Sequence, residues 1–252
     1  MIIKFLGTGT SQGIPVIACR CPVCCSADER DRRLRTSLHI DQDGISVIID
    51  AGPDFRQQVL REGIESLDAI LFTHQHRDHI AGLDDVRAFN FHQKRGMPVY
   101  GNRNVVDQLR KEYHYAFERS YPGVPQLEVH EIRGADFAIG NLNVTPVEVL
   151  HHRLPVYGFR FGEFTYITDA KTIPDEAMDK IAGSRVLVLN ALQRADHLSH
   201  LTLEEALLII DRIQPEKAYL THISHHLGLH SSVSSELPPG VHLAFDGMKL
   251  EV

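Results

Sequence analysis

The chain has 252 residues, 43% hydrophobic and 23% charged, a composition that supports a sizeable core and excludes a disordered or low-complexity chain. A formal net charge of −7 argues against binding long nucleic acid by phosphate neutralisation and favours small substrates as partners. Met1 to Leu6 offers no charged n-region ahead of a long apolar stretch and no later run approaches membrane-spanning length, so the expected location is the cytoplasm, with no membrane partner.

In chain order, Ile2 to Leu6 reads as a strand, and Ser37 to Ile40 with Ser46 to Ile49 as a hairpin around Asp41-Gln-Asp-Gly44. Asp50-Ala-Gly52 ends that strand, Pro53 to Glu62 suits a helix stopped by Gly63, and Asp68 to Phe72 is a short buried strand. A helix is expected within Gly82 to Gln93, a strand at Pro98 to Tyr100 and a polar amphipathic helix over Asn102 to Glu118. From Leu127 to Thr168 the texture is β, with strands at Leu142 to Leu150, Tyr157 to Phe161 and Phe164 to Thr168. Pro174 to Ala182 reads as a helix, Arg185 to Asn190 as an apolar strand, Thr202 to Ile213 as a helix opened by a Thr-x-x-Glu capping box, and Ala218 to His222 as a strand ending in histidine. No repeat or linker divides the chain, and residues 1–252 are expected to form one α/β domain with functional residues at strand ends.

The most informative segment is Thr73-His-Gln-His-Arg-Asp-His79, which places His74, His76, Asp78 and His79 directly after an apolar strand. Imidazoles and a carboxylate in this density are the donors that Zn, Mn or Fe ions take when they stay open to water and substrate. Three further donors follow apolar runs: His151 in Val149-Leu-His-His152, Asp169 in Tyr166-Ile-Thr-Asp169 and His222 in Leu220-Thr-His222. Together they are enough for a two-metal centre. Ions roughly 3.5–4 Å apart can share a hydroxide of lowered pKa and stabilise a leaving oxygen, so hydrolysis of an anionic substrate follows. Asp78 can both bind metal and orient the nucleophile, and His200, in His197-Leu-Ser-His200, is a candidate general acid.

The order HxHxDH, His, Asp, His resembles the metallo-β-lactamase superfamily across nearly the whole chain, and Gly7-Thr-Gly-Thr10 and Asp50-Ala-Gly52 fit its pattern as well. The resemblance implies an αβ/βα sandwich, two mixed sheets with helices on the outer faces and a dinuclear site along one edge. It also implies a ligand set: His74, His76 and His151 for one divalent metal, Asp78, His79 and His222 for the other, with Asp169 bridging. His152 is the alternative to His151, and the spacing from Thr145 favours His151.

Cys19-Arg-Cys-Pro-Val-Cys24 supplies three thiolates in a CxCxxC run, suited to a closed structural Zn site that needs one more ligand. His225, three residues beyond His222, could be that ligand; a redox-active or merely reduced cluster is the alternative, and Cys25 has no assigned role. The CxCxxC loop, Thr221-His-Ile-Ser-His225 and Phe245-Asp-Gly-Met248 together resemble the PhnP-type phosphodiesterases, whose namesake opens a cyclic phosphate on ribose. That resemblance implies a phosphodiesterase acting on a small anionic phosphodiester, with two catalytic ions, Zn or Mn and less readily Fe, and one structural Zn. It is also compatible with a homodimer, which no patch in the sequence marks. Arg87, in Gly82-Leu-Asp-Asp-Val-Arg87, is a candidate phosphate contact, or simply one half of a surface ion pair.

The alternatives are a tRNA 3′-processing nuclease, a thioester or β-lactam hydrolase, and a non-enzymatic metal-binding module. Gly7-Thr-Gly-Thr-Ser-Gln-Gly13 is not a dinucleotide fingerprint, because its spacing is GxGxxxG and no helix start follows.

Overall fold

The computed structural model describes residues 1–118 and 123–252. The N-terminal half contains β1 (Ile2–Gly7), β2 (Ser37–Gln42), β3 (Ile45–Ile49), α1 (Phe55–Glu62), β4 (Ala69–Leu71), α2 (Arg77–Ile80), α3 (Arg87–Gln93), β5 (Met97–Gly101), α4 (Arg103–Glu112), α5 (His114–Phe117) and β6 (Leu127–Glu131). The C-terminal half contains β7 (Phe137–Ile139), β8 (Leu142–His151), β9 (Leu154–Phe161), β10 (Phe164–Tyr166), α6 (Asp175–Ile181), β11 (Val186–Asn190), α7 (Leu203–Ile213), β12 (Lys217–Thr221), α8 (His230–Ser234), β13 (Val241–Leu243) and β14 (Lys249–Glu251). The strands form two mixed seven-stranded sheets, β14-β1-β2-β3-β4-β5-β6 and β13-β12-β11-β10-β9-β8-β7, so that the last strand of the C-terminal half returns to pair with β1 of the N-terminal sheet.

The side-chain period of a strand explains the layering. In β4, Ala69 and Leu71 face the space between the sheets, while Ile70, and Phe72 just past the strand, face α1, α3 and α4. In β11, Val186 and Val188 join the same inter-sheet core, while Leu187 and Leu189 pack beneath α6 and α7. These strands are buried on both faces, which is why they read as unbroken apolar runs rather than as alternation. The architecture is therefore the expected sandwich of two mixed sheets with helices outside. β3-β4-β5-β6 and β10-β11-β12-β13 are parallel ladders, and the chain leaves β4, β10 and β12 along one edge of the sandwich.

Several boundaries differ from the sequence expectations, each for a local reason. The helix expected from Pro53 begins at Phe55, because the Asp54 carboxylate is committed to Arg35 through the backbone N–H at 2.8 Å and the guanidinium at 3.0 Å. The helix expected over Asn102 to Glu118 breaks after Glu112, where buried Tyr113 turns inward and its hydroxyl donates to the Ile80 carbonyl at 2.8 Å. Within Gly82 to Gln93 a 3-10 turn at Leu83–Val86 precedes α3, and the strand expected from Tyr157 starts at Leu154 by pairing with His151.

Candidate metal centre

Three of the strand ends turn through left-handed backbone: Asp50 after β3 (φ 64°), Asp169 after β10 (φ 59°) and His222 after β12 (φ 55°). For residues other than glycine this costs roughly 1–2 kcal/mol each, a strain concentrated where side chains are aimed into a site. Gly52 serves the same place differently. A Cβ there would lie 1.9 Å from the Asp78 carbonyl oxygen, so only glycine lets α2, which carries Asp78 and His79, pack against the end of β3.

The sequence candidates converge at this edge. His74 Nε2 lies 2.9 Å from His76 Nδ1, and the His151 ring is 5.5 Å and 5.2 Å from those two rings. One ligand atom from each of these three histidines falls within 4.8 Å of the others, and the same is true of Asp78, Asp169 and His222, and of His74, His79 and Asp169. Asp169 joins the groups. Its Oδ1 is 3.1 Å from His222 Nδ1 and 3.5 Å from His79 Nε2, while its Oδ2 is 3.9 Å from His74 Nε2 and from His200 Nδ1. His200 is buried, with its ring 4.5 Å from that of His151 and 4.8 Å from that of His222. His152 sits instead on an exposed turn, and Arg87 is exposed on α3, 3.6 Å from Asp84, with no hydrogen bond or ion pair to the cluster among the described residues.

Behind the cluster, buried partners fix which nitrogen each ring presents. His79 Nδ1 donates to Asp50 Oδ2 at 2.7 Å, leaving Nε2 toward Asp78 and Asp169. Thr73 gives its hydroxyl proton to Asp50, so it accepts from His74 Nδ1 at 3.0 Å and leaves Nε2 with its lone pair. His151 Nδ1 donates to the Ser199 carbonyl at 2.8 Å. Contacts of this kind hold a ligating imidazole in one orientation and one tautomer. The sequence reading missed Asp50, Thr73 and Ser199 in these roles, although the Asp50-Ala-Gly52 motif had marked the place.

The electrostatics suit cations. Burial alone would raise the pKa of Asp169, but His222, His79 and His74 hold it well below the usual carboxylate range. Burial lowers His74 well below its ordinary value, so its ring is neutral and a competent ligand. His79 Nε2 and His200 Nδ1 are buried without a hydrogen-bond partner, and at His79, which faces both Asp78 and Asp169, a bound cation would satisfy the nitrogen. The residues present therefore fit a pair of divalent metals.

A second cluster lies nearby in sequence. The sulfurs of Cys19, Cys21 and Cys24 stand 3.3, 3.4 and 3.5 Å from His225 Nδ1, close to the ~3.5 Å that Zn–S and Zn–N bond lengths give at a tetrahedral angle. The Cys24 backbone N–H pushes the Cys21 thiol down to about 6, whereas burial pushes Cys24 up to about 11. Full ionisation of the three thiols thus calls for a cation among them. Cys25 is exposed and stands outside this group.

Residues 46–223 match the β-lactamase superfamily domain. The chain is 43% identical over 248 residues to a Porphyromonas gingivalis protein named octanoyltransferase, covering 97% of this chain and 50% of that one. It is 34% identical over 125 residues to coenzyme PQQ synthesis protein B of Methylobacterium radiotolerans, covering 43% and 40% of the two chains. The chain thus spans about half the length of the curated relatives it matches. Among solved structures, a diphosphatase from the PhnP family superposes with a TM-score of 0.94 at 40% identity, covering 100% of this chain and 97% of that one. The short form of human tRNase Z shares the fold at a TM-score of 0.71 and 18% identity, covering 100% and 99%.

Proposed function

The chain belongs to the metallo-β-lactamase superfamily, in its PhnP family, and we propose that it is a dinuclear metal-dependent hydrolase that cleaves a P–O bond in a small phosphodiester, with cyclic ribose phosphates as the first substrate class. The observation that carries this reading is Asp169, a single carboxylate whose two oxygens face both donor sets. His74, His76 and His151 would hold one metal, and Asp78, His79 and His222 the other, with Asp169 between them. Bound there, two divalent ions would supply Lewis acidity toward a phosphoryl oxygen and make water acidic enough to attack at neutral pH. Cys19, Cys21, Cys24 and His225 would hold a structural Zn.

Opening a cyclic phosphodiester with water forms one P–O bond, breaks another and leaves an alkoxide that needs a proton. Asp78, half-buried at the edge of the cluster, is placed to orient the attacking water, and His200 to carry the proton to the leaving oxygen. A diphosphate presents the same bridging oxygen flanked by phosphorus, so the activity named for the PhnP-family neighbour fits the same residues. Arg87 could contact a distal phosphate only if its pairing with Asp84 opened.

The test is elemental analysis joined to a substrate panel on one preparation: cyclic ribose phosphate, bis(p-nitrophenyl) phosphate, a dinucleoside diphosphate, a glutathione thioester and pre-tRNA. Three metals per chain and turnover of the cyclic phosphate, lost by at least ~10³-fold in Asp78→Ala, are expected. Cleavage of pre-tRNA or of the thioester in place of every small phosphate substrate would overturn the reading.

A further inference from the structure

The Gly7-Thr-Gly-Thr10 motif takes no part in the chemistry above, yet it runs between the two metal clusters. Thr10 N–H donates to the Ile223 carbonyl at 3.1 Å and Ile223 N–H to the Thr8 carbonyl at 2.9 Å, while Gly9 N–H donates to the Leu34 carbonyl at 2.8 Å. Gly9 is thereby bridged on one side to Arg35 and on the other to Ile223. A Cβ on Gly9 would lie 2.9 Å from the Arg33 side chain and 3.0 Å from two carbonyl oxygens, so the motif is glycine-rich because two backbones close on it. Thr8 anchors the segment. Its hydroxyl donates to Asp246 Oδ1 at 2.7 Å and accepts from the buried Arg33 guanidinium at 2.7 Å.

Thr10 faces the catalytic side. Its hydroxyl is 3.2 Å from His222 Nε2, and Thr36 Oγ1 is 3.2 Å from Nδ1 of the same ring. Thr36 gives its proton to the Gly9 carbonyl at 2.7 Å and has none left for Nδ1, the nitrogen that also lies 3.1 Å from Asp169 Oδ1 and would be the one to meet a metal. The Thr10 hydroxyl has no other partner among the described residues and is free to accept the Nε2 proton that a ring ligating through Nδ1 carries. Downstream the chain runs directly from Thr10 into the Cys19–Cys24 loop, and that loop closes on His225, three residues after His222. The segments 10–24 and 222–225 therefore form a closed circuit, joined at one end by Thr10 with Ile223 and at the other by the thiols with His225.

We propose that Thr10 is a positioning residue for His222, and that through it the affinity of the second catalytic metal position depends on the Cys19–Cys24 loop. The proposal rests on the two-metal reading of the centre and concerns metal binding, not the substrate. A partner hydrogen-bonded to the far nitrogen of a ligating histidine typically contributes 10–100-fold in metal affinity. Among the described residues His74, His76 and His151 share no hydrogen bond or ion pair with Thr10 or the loop, so the first catalytic position should be indifferent to both.

The test is titration of the chelator-stripped full chain with Co(II), in which thiolate-to-cobalt charge-transfer absorption reports the Cys loop and d–d absorption the His/Asp centre. Thr10→Val should weaken one of the two His/Asp equivalents by ~10-fold or more and leave the other unchanged, while Thr10→Ser stays near wild type. Thr10→Ala serves if the valine chain does not fold. Cys21→Ser should weaken the same equivalent, and the double variant should be no weaker there than Cys21→Ser alone, because both changes cut one circuit. Wild-type affinity in Thr10→Val, or full additivity in the double variant, overturns the proposal. A wild-type chain that takes up fewer than two His/Asp equivalents sinks the two-metal reading itself and the proposal with it. Activity on any substrate does not enter the outcome, so failure of the phosphodiesterase assignment is read separately.

Discussion

Burial, reinforced by the neighbouring His222 and His151 rings, pushes the pKa of His200 down to about 3, against the pull of Asp169. Such an imidazole takes a proton only when further negative charge comes up beside it, as a phosphate bound over the metal positions next to His200 would bring. Its effect should therefore depend on how much the leaving group needs protonation. His200→Ala is expected to lower kcat/KM on a cyclic ribose phosphate by about 10²–10³-fold, but on bis(p-nitrophenyl) phosphate by less than about 10-fold, since nitrophenolate leaves unaided. Equal losses on both would assign His200 a purely structural role. At this scale the sequence was most legible where a residue supplies the donor atom itself: His74, His76, Asp78 and His79 announce a metal by density alone. It was least legible where a residue orients another, because what Asp50 or the Ser199 carbonyl does depends on which ring nitrogen meets it, and only the fold decides that.

His200 owes its place to an element boundary. It stands two residues before Thr202, the N-cap of α7, whose hydroxyl accepts from Glu205 N–H at 3.2 Å while the Glu205 carboxylate accepts from Thr202 N–H at 2.8 Å. Lys171, two residues past Asp169, reaches the same Glu205 at 2.9 Å, so the cap also ties the Asp169 turn to α7. Thr202→Ala should destabilise the protein by ~1 kcal/mol and lower Tm by about 2–4 °C, with Thr202→Ser close to wild type. A thermal melt of the three proteins decides it, and an unchanged Tm in the alanine variant would show the cap to be idle. This box was readable in advance because Thr-x-x-Glu before an apolar run is local information. The break after α4 was not, because it follows from a hydroxyl finding a carbonyl 33 residues away in sequence. Nor were α8 and β14: the first is a five-residue His-Ser-Ser-Val-Ser turn of weak propensity, and the second a three-residue strand with two exposed positions.

At the scale of the molecule, the site is shared between the two sheets. His74, His76, Asp78 and His79 follow β4 of the first sheet, while His151, Asp169 and His222 close β8, β10 and β12 of the second. Protein contacts already cross this edge, with Tyr157 N–H donating to the Thr73 carbonyl at 2.9 Å. Bound cations would add bonds from both sheets to a common centre, so metal occupancy should act on global stability and not only on activity. Ligand binding stabilises by RT ln(1 + [L]/Kd), or about 4 kcal/mol per site at a thousandfold excess over Kd, which for a chain of this size raises Tm by on the order of 10 °C. At His74 and His222 the pH dependence has one sign, opposed by His79, which despite its burial Asp169, Asp78 and Asp50 hold well above the ordinary imidazole value. Burial depresses the folded-state pKa of His74 and His222, so the neutral rings favour folding above the unfolded-state value of about 6.5, and that stability is lost as pH falls. Metal binding requires the same neutral rings and is lost in the same direction. The expected result is a wide Tm gap between metal-loaded and chelator-treated protein at pH 7.5 that narrows steadily toward pH 5, measured by calorimetry at fixed free-metal concentration. Coincident melts at pH 7.5 would mean that the two sheets hold their edge without the ions, and that the donors meet there for another reason.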